Sequence, residues 1–160
     1  MKSISKVGIT VANITSQHQY SSLRATPGVV QNVVYTGTGF VNAVIVNMPD
    51  VSPTLSPSFT LSANQITINE SGHYLLSYTT YIKLNTAESC NIALCSNSIP
   101  ISRSVYSIIN VDIIYASVTG TYNLFAGQVI TLRTYLDASA TTPLDATIQS
   151  GLVTILKLKE

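Results

Sequence analysis

The stretch that decides the fold is Tyr74-Leu75-Leu76-Ser77-Tyr78-Thr79-Thr80-Tyr81-Ile82-Lys83-Leu84. Its alternate residues fall on two faces: Tyr74, Leu76, Tyr78, Thr80, Ile82 and Leu84 on one, and Leu75, Ser77, Thr79, Tyr81 and Lys83 on the other. A period of two residues is the pattern of a β-strand, because successive side chains point to opposite sides of the backbone. We therefore predict one long strand over residues 74–84.

The rest of the sequence repeats this pattern in shorter pieces. Val, Ile and Thr together account for 51 of the 160 residues, and such β-branched side chains favour strands. Strands are predicted, among others, at Phe40–Val46, Ile99–Ile108 and Val111–Gly120, and no stretch shows helical periodicity over three turns. Turn residues recur at spacings of roughly 8–12 residues, so the sequence predicts an all-β antiparallel sandwich or barrel.

The first 36 residues differ from the remainder. They are polar, with short apolar pieces at Val7–Ile14 and Val29–Tyr35, and Gly37-Thr38-Gly39 then marks a turn. We interpret residues 1–36 as an N-terminal arm with short strands, through which the chain attaches to a particle scaffold, and residues 37–160 as the folded domain.

Charge and hydropathy exclude several classes of partner. The net charge is +1 and only 9 % of the residues are charged, with the Lys and Arg residues scattered, which argues against a nucleic-acid partner. No apolar run approaches the ~18–20 residues that span a bilayer, and no secretory signal is recognisable at the start. We therefore expect the chain either in the cytoplasm or on an outer surface that it reaches, without a secretory signal, by assembling onto a particle inside the cell.

Apolar residues on both faces of a strand indicate that a second chain covers one of the faces. In the last predicted strand, Leu152 and Leu156 share one face while Val153 and Ile155 lie on the opposite one. A sheet with one face in water does not need this arrangement. A surface rich in Ser and Thr is the alternative explanation for the low charge, and self-association is the one we favour.

No constellation of residues suggests catalysis. Enzymes hold titratable groups close together, and the chain lacks His-x-x-x-His, Gly-x-Ser-x-Gly and Cys-x-x-Cys patterns. The odd spacing of Cys90 and Cys95 places them on opposite faces of a strand, too far apart for a disulfide bond. We therefore expect both to be buried thiols. Asp137 and Asp145 flank a loop where a calcium site is conceivable, but two acids eight residues apart are usually solvated. We predict no enzyme, cofactor or metal site, and the absence of His ligands disfavours a cupin-type isomerase.

Several motifs, in order along residues 40–160, resemble one family. Glu70-Ser71-Gly72-His73-Tyr74 resembles the Gly-x-Tyr signature of complement C1q/tumour-necrosis-factor-like domains. The turn-and-strand over residues 124–132 and the closing Ser150-Gly151-Leu152 resemble two further motifs of that family, and Asn97-Ser98-Ile99 stands where it often has Asn-Gly-x. The composition is most similar to the bacterial type found at the C-terminus of collagen-like spore-surface proteins of the exosporium, although no collagen-like tract precedes the domain.

The resemblance implies a jelly roll of about ten strands that assembles as a homotrimer. The implied interface or core residues are Tyr74, Tyr78, Leu152, Ile155 and Leu156, and periodicity does not decide which face is core and which is interface. The implied function is a non-catalytic, homotrimerising surface-display module on a spore coat or exosporium. The alternative is a phage fibre or decoration trimer that binds a host receptor or glycan through apical loops, with candidate residues Ser96, Asn97, Ser98, Asp137 and Asp145.

Overall fold

The chain folds into two antiparallel β-sheets. A computed structural model describes residues 21–25, 28–53, 56–85, 89–109, 113–140 and 145–158. Within these ranges the strands are β1 Ser21–Arg24, β2 Gln31–Val34, β3 Val44–Ile45, β4 Asp50–Val51, β5 Phe59–Ser62, β6 Gln65–Ile68, β7 Gly72–Leu84, β8 Ser89–Ser96, β9 Ile99–Pro100, β10 Tyr106–Ile109, β11 Ile114–Leu124, β12 Val129–Leu136 and β13 Asp145–Lys157.

The strands divide into two layers. Sheet A has the order β11-β7-β13-β1-β4, with β2 also paired to β13, and sheet B has the order β10-β8-β12-β6-β5, with β3 paired to β12 and β9 to β8. The prediction of an all-β antiparallel sandwich is confirmed. Thirteen strands replace the predicted ten or so within the described residues, because β3, β4 and β9 are pieces of only two residues.

Strand β7 lies between β11 and β13 and has the predicted alternation. The six even-numbered residues of the stretch 74–84 are buried between the sheets, whereas its odd-numbered residues are half-buried or exposed. Sheet B contributes Ile92 and Leu94 of β8 and Leu132 of β12 to the same core. The alternation of the sequence is therefore the division between core and outer surface.

The last strand changes its alternation part-way along. Ala146 and Ile148 are buried, and beyond them Val153 and Ile155 are buried, so an even-numbered inward series becomes an odd-numbered one. The pairing of β13 with β7 shifts register between Ile148 and Ser150, which is the signature of a β-bulge. The bulge rotates the rest of β13 so that Val153 and Ile155 face the core.

Residues 21–25 and 28–36 belong to the sandwich. Strand β1 pairs with residues 152–155 of β13, and β2 pairs with residues 145–148. Leu23 and Val33 are buried in the core. The folded domain therefore includes residues that the sequence assigned to the arm, while residues 1–20, with the strand piece expected at Val7–Ile14, lie outside the described residues.

Three predicted strands have different bounds. Phe40–Val46 is not one strand: residues 40–42 form a 3-10 turn after Gly39, whose φ is 75°, and β3 follows. Ile99–Ile108 is divided into β9 and β10 by a turn at Ser104, whose hydroxyl contacts the carbonyl oxygen of Ile101 at 2.8 Å. Strand β11 continues past Gly120 to Leu124. Among the described residues, no helix has the length and apolarity needed to cross a lipid bilayer.

Candidate interaction surfaces

The predicted interface or core residues fall into two groups. Tyr74, Tyr78 and Ile155 are fully buried between the sheets. Leu152 and Leu156 lie on the opposite side of sheet A, facing away from sheet B, and are half-buried. The structure thus settles which face is core, and of the five residues only these two leucines remain available for contact with another chain.

The two buried tyrosines tie distant segments together. Tyr78 Oη lies 3.1 Å from the carbonyl oxygen of Ile92 and 2.9 Å from that of Ser104. Tyr74 Oη lies 2.6 Å from the carbonyl oxygen of Glu70. Burial raises the pKa of both hydroxyls, so they remain protonated donors at neutral pH. Because buried carbonyl groups need partners, these contacts stabilise the sandwich itself.

The outer side of sheet A is largely uncharged along β7 and β13. Leu75 is paired with Leu156, and Leu152 with Thr79. Between these two rows, the hydroxyls of Ser77 and Thr154 are hydrogen-bonded to each other. We call the surface formed by Leu75, Leu152 and Leu156 the sheet A face. Leucine side chains bordered by mutually bonded hydroxyls form an area that another chain can cover without burying a charge.

A second apolar surface lies at one side of the sandwich, where β10 and β11 are the outermost strands of their sheets. Ile109 is 78 % exposed, and Ile113 and Tyr115 are about half exposed. The ring of Tyr115 packs against that of Tyr81, with 4.9 Å between centroids. We call Ile109, Ile113 and Tyr115 the β10–β11 edge. Exposed aliphatic and aromatic side chains in one place mark a contact surface.

Strand β11 itself is an unprotected edge. Its eleven residues include no charged residue and no proline. Proteins usually blunt an exposed edge strand with Lys, Pro or a very short length. The opposite edge of sheet A has this protection, because β4 is two residues long and lies between Pro49 and Pro53. The contrast marks β11 as the edge of sheet A that is open to contact with another chain.

The predicted apical loops lie at opposite ends of the sandwich. The amide of Asn97 bonds to Val129 at the start of β12, whereas the amide of Asp137, just past its end, bonds to Ser89. Eight residues along a strand separate these points by about 26 Å. Ser96, Asn97 and Ser98 are at the end where β1 begins and β13 finishes, and Asp145 is at the other end, near Asn85. The two loops therefore do not form one common surface.

Asp137 is stabilised by its own loop. Its Oδ1 atom accepts hydrogen bonds from the Ser139 backbone N–H at 3.0 Å and the Ser139 hydroxyl at 2.8 Å. The backbone bond, followed by the hydroxyl bond, lowers the pKa of Asp137. Within the described residues, no group of three or more His, Cys, Asp or Glu side chains is placed to hold a metal ion.

The outward side of sheet B contains a charged side chain, that of Arg133, which the sequence does not single out. Arg133 projects from β12, and its guanidinium donates to Ser98 Oγ at 2.8 Å and to Thr131 Oγ1 at 3.2 Å. Its cross-strand neighbour on β8 is Ala93. The signal in the sequence was the single Arg in an otherwise neutral alternating strand, but its contact with Ser98 depends on the pairing of β8 with β12.

Both cysteines are buried free thiols, as predicted. Burial raises the pKa of Cys90 to about 11 and that of Cys95 to about 12, although the Arg133 charge opposes the shift at Cys95. A thiol in this state is a poor nucleophile at neutral pH. His73 is exposed at the second residue of β7. These side chains show no arrangement suited to acid–base or nucleophilic catalysis.

Solved structures share this sandwich, whereas no protein-family model and no curated protein matches the sequence. The globular domain of zebrafish complement 1qA superposes with a TM-score of 0.60, 11 % identity and coverage of 90 % of this chain and 99 % of that one. The Eiger TNF of S. frugiperda superposes with a TM-score of 0.57 and 12 % identity, covering 88 % of this chain and 92 % of that one. Murine APRIL superposes with a TM-score of 0.53 and 14 % identity, covering 87 % of this chain and 99 % of that one. The chain has a C1q/TNF-like fold. At these identities the similarity concerns the fold, which agrees with the predicted jelly roll.

Proposed function

We propose that this C1q/TNF-like chain is a non-catalytic module that assembles as a homotrimer. The observation that carries the proposal is the presence of two unlike apolar surfaces on one protomer: the sheet A face, centred on β7 and β13, and the β10–β11 edge, which reaches the outward side of sheet A only at Tyr115 beside Tyr81. A surface that pairs with a copy of itself gives a two-fold dimer, whereas two different surfaces that pair with each other give a ring or an open filament. A ring of three is the closed form implied by the family resemblance.

The two surfaces have complementary chemistry. The sheet A face offers Leu75, Leu152 and Leu156 among neutral hydroxyls, and the β10–β11 edge offers Ile109, Ile113 and Tyr115. Contact between them removes apolar area from water without burying an unpaired charge. It also covers strand β11, which otherwise exposes a long neutral edge. The low charge of the whole chain follows from this arrangement, since stable homomeric interfaces resemble a protein core.

The biological setting we propose is the surface of a particle, in the first instance a bacterial spore coat or exosporium. The charge-poor composition and the motifs over residues 40–160 support it through their resemblance to spore-surface proteins. In this arrangement residues before Ser21 attach the trimer to a particle scaffold. A phage fibre or decoration trimer that binds a receptor or glycan is the second candidate, and the identity of neighbouring genes distinguishes the two settings.

Two complementary variants test the assembly. Leu156→Asp places a charge on the sheet A face and leaves the edge intact, whereas Tyr115→Asp damages the edge and leaves the face intact. We expect sedimentation equilibrium to give about 51 kDa for the wild type, three copies of the 17.1 kDa chain. Each variant alone should sediment as a folded monomer, and an equal mixture should form a dimer through the one remaining intact pair of surfaces.

The control is Thr60→Asp, at an exposed position on β5 away from both surfaces, which should leave the trimer unchanged. A wild-type chain that sediments as a monomer overturns the proposal. A mixture of the two variants that stays monomeric while both are folded overturns the pairing of face with edge, and leaves other trimer geometries to be considered.

A further inference from the structure

Arg133 occupies an unusual position for the charged side chain of a charge-poor protein. It lies on the outward side of sheet B, near the middle of β12, and is half-buried. Its two hydrogen bonds within the described residues go to the hydroxyls of Ser98 and Thr131, and no carboxylate there lies within ion-pair distance. A guanidinium has five N–H donors, so three of them have no acceptor among these residues.

The residue that holds the guanidinium is in a conformation that a serine rarely adopts. Asn97 and Ser98 connect β8 to β9 with φ values of 47° and 66°, so both central residues of the two-residue turn are left-handed. Such turns favour Asn followed by Gly, because a Cβ atom makes this conformation unfavourable. Ser98 adopts this unfavourable backbone conformation, and its hydroxyl accepts a 2.8 Å hydrogen bond from Arg133 Nη2. Backbone strain of this kind is concentrated at functional sites.

Small residues lie beside the arginine. Its neighbours on β8 are Ala93, directly across, and Cys95, which is paired with Thr131. Both have 0 % exposure although they point away from the core, so other side chains cover them. Two short side chains leave room beside them for the aliphatic part of a long side chain such as Arg133. The guanidinium is thus held at two atoms, Nε by Thr131 and Nη2 by Ser98.

The remaining neighbours of Arg133 are neutral. On β3 it is paired with Ile45, which is 41 % exposed. Tyr135 lies on the same side of β12, about 7 Å along the strand from Arg133 and in the direction away from Ser98, and its ring packs edge-to-face on Phe40 with 5.0 Å between centroids. The side-chain oxygen of Asn97 accepts a bond from the Val129 amide, which leaves the Asn97 side-chain NH₂ without an acceptor among the described residues. Hydroxyl and amide groups thus lie around one cation, and the aromatic ring stands apart from them.

We propose that Arg133, Ser98 and Asn97 form a binding site for the carboxylate group of an acidic saccharide. The planar guanidinium matches a carboxylate through two parallel N–H···O bonds. One positive charge among neutral neighbours suits a single carboxylate better than a polyanion, which requires clustered Lys and Arg. The sugar hydroxyls find donors and acceptors at Asn97 and Ser98.

This site goes beyond the proposed assembly and does not depend on it. It lies on sheet B, whereas the trimer surfaces are the outer side of sheet A and the β10–β11 edge. Three copies in a trimer would raise the avidity for a repeated acidic glycan without altering the affinity of each site. A monomeric Leu156→Asp chain should therefore bind a monovalent sugar as the wild type does, so the two proposals can fail separately.

The test is an NMR titration of the ¹⁵N-labelled chain with methyl glucuronoside, methyl glucoside, sodium acetate and a Gly–Glu–Gly tripeptide. We expect the glucuronoside to bind at least about tenfold more tightly than each of the others, with shifts at residues 97–98 and 131–135. Arg133→Gln should abolish this preference. Arg133→Lys, which keeps the charge but loses the planar fork, should weaken binding by about tenfold.

Ser98→Gly separates binding from stability. Glycine relieves the positive φ, so the melting temperature should stay the same or rise while glucuronoside binding weakens several-fold. The control is Arg24→Gln, which removes an exposed arginine at the end of β1 and should leave binding unchanged. Equal binding of glucuronoside and glucoside, equal binding of acetate, tighter binding of the tripeptide, or undiminished binding by Arg133→Gln each overturns the proposal.

Discussion

Tyr78 Oη, on the central strand of sheet A, lies 2.9 Å from the carbonyl oxygen of Ser104, in the turn that separates β9 from β10 beside sheet B. The same hydroxyl is 3.1 Å from the carbonyl oxygen of Ile92 on β8. One side chain thus links the middle strand of one sheet to two segments on the other side of the core. The turn at Ser104, which replaces the predicted continuous strand, is held in place partly by this contact.

Tyr78→Phe should therefore destabilise the fold with little change in shape. The substitution leaves buried carbonyl groups without their donor, and we expect a loss of about 1–3 kcal/mol in the free energy of unfolding, measured by urea denaturation. The matched control is Tyr81→Phe, because Tyr81 is exposed on the same strand. Equal stability of the two variants would show that the Tyr78 hydroxyl contributes nothing.

The thiols of Cys90 and Cys95 should be nearly inert in the folded chain. With pKa values raised to about 11 and about 12 by burial, their thiolate fraction at pH 8 is lower than that of an exposed cysteine by a factor of more than about 100. We expect an aromatic disulfide reagent to modify neither cysteine in native protein and both in guanidinium chloride. Rapid modification before unfolding would show that the residues around β8 open readily.

Glu70 should contribute to stability in a pH-dependent way. Its carboxylate is 2.7 Å from Lys157 Nζ and accepts a bond from the Ser58 hydroxyl. The bond from Lys157, then that from Ser58, lowers the pKa of Glu70 below the usual 4.5. The contribution of Glu70 to the free energy of unfolding is therefore complete above about pH 4.5. It is lost as the pH falls through the lowered pKa of Glu70 in the folded state.

We expect Glu70→Gln to reduce the fall in melting temperature between pH 6 and pH 3 relative to the wild type. Asp145→Asn is the control, because the Asp145 carboxylate has no hydrogen bond or ion pair among the described residues. If both variants show the full wild-type fall in melting temperature, Glu70 is not responsible for any of it.

Gly120 gives space to a tyrosine on its own strand. A Cβ atom at this position would lie 2.7 Å from Tyr122 Oη and 2.9 Å from Tyr122 Cζ. The Tyr122 hydroxyl is already buried without a hydrogen-bond partner among the described residues, so it has little freedom to move. Gly120→Ala should lower stability by about 1–3 kcal/mol through overpacking, and in a Tyr122→Leu background the same change should cost much less. A double-mutant cycle with zero coupling would contradict this contact.

The sequence predicts best where one pattern persists over many residues. The alternation over residues 74–84 is enough to identify β7 and its buried face, because each inward position is apolar or a hydroxyl that can be bonded. The same rule is ambiguous for β13, where apolar residues lie on both faces and the bulge between Ile148 and Ser150 changes which series points inward. Periodicity alone could not show that Val153 is core and Leu152 is surface.

The candidate sites depend on contacts that local pattern does not contain. Ser98 and Arg133 are 35 residues apart, and they meet only because β8 and β12 are paired with Ala93 opposite Arg133. The predicted loops at Ser96–Ser98 and Asp137–Asp145 were separated for the same reason, since antiparallel pairing sends them to opposite ends. The predicted strand Phe40–Val46 is reduced to β3 because the turn that follows Gly39, where φ is positive, is not visible as a repeating pattern.

Ser21 is paired with Ile155, so the backbone enters β1 and leaves β13 side by side. Any cargo genetically fused ahead of Ser21 and any second cargo fused behind Leu158 would emerge at a single pole of the molecule. In a three-fold ring, six such attachments would share that pole, and the pole bearing Asp137 and Asp145 would stay clear. Fusion partners at the two chain ends would therefore occupy one end of the molecule and leave the end with Asp137 and Asp145 accessible.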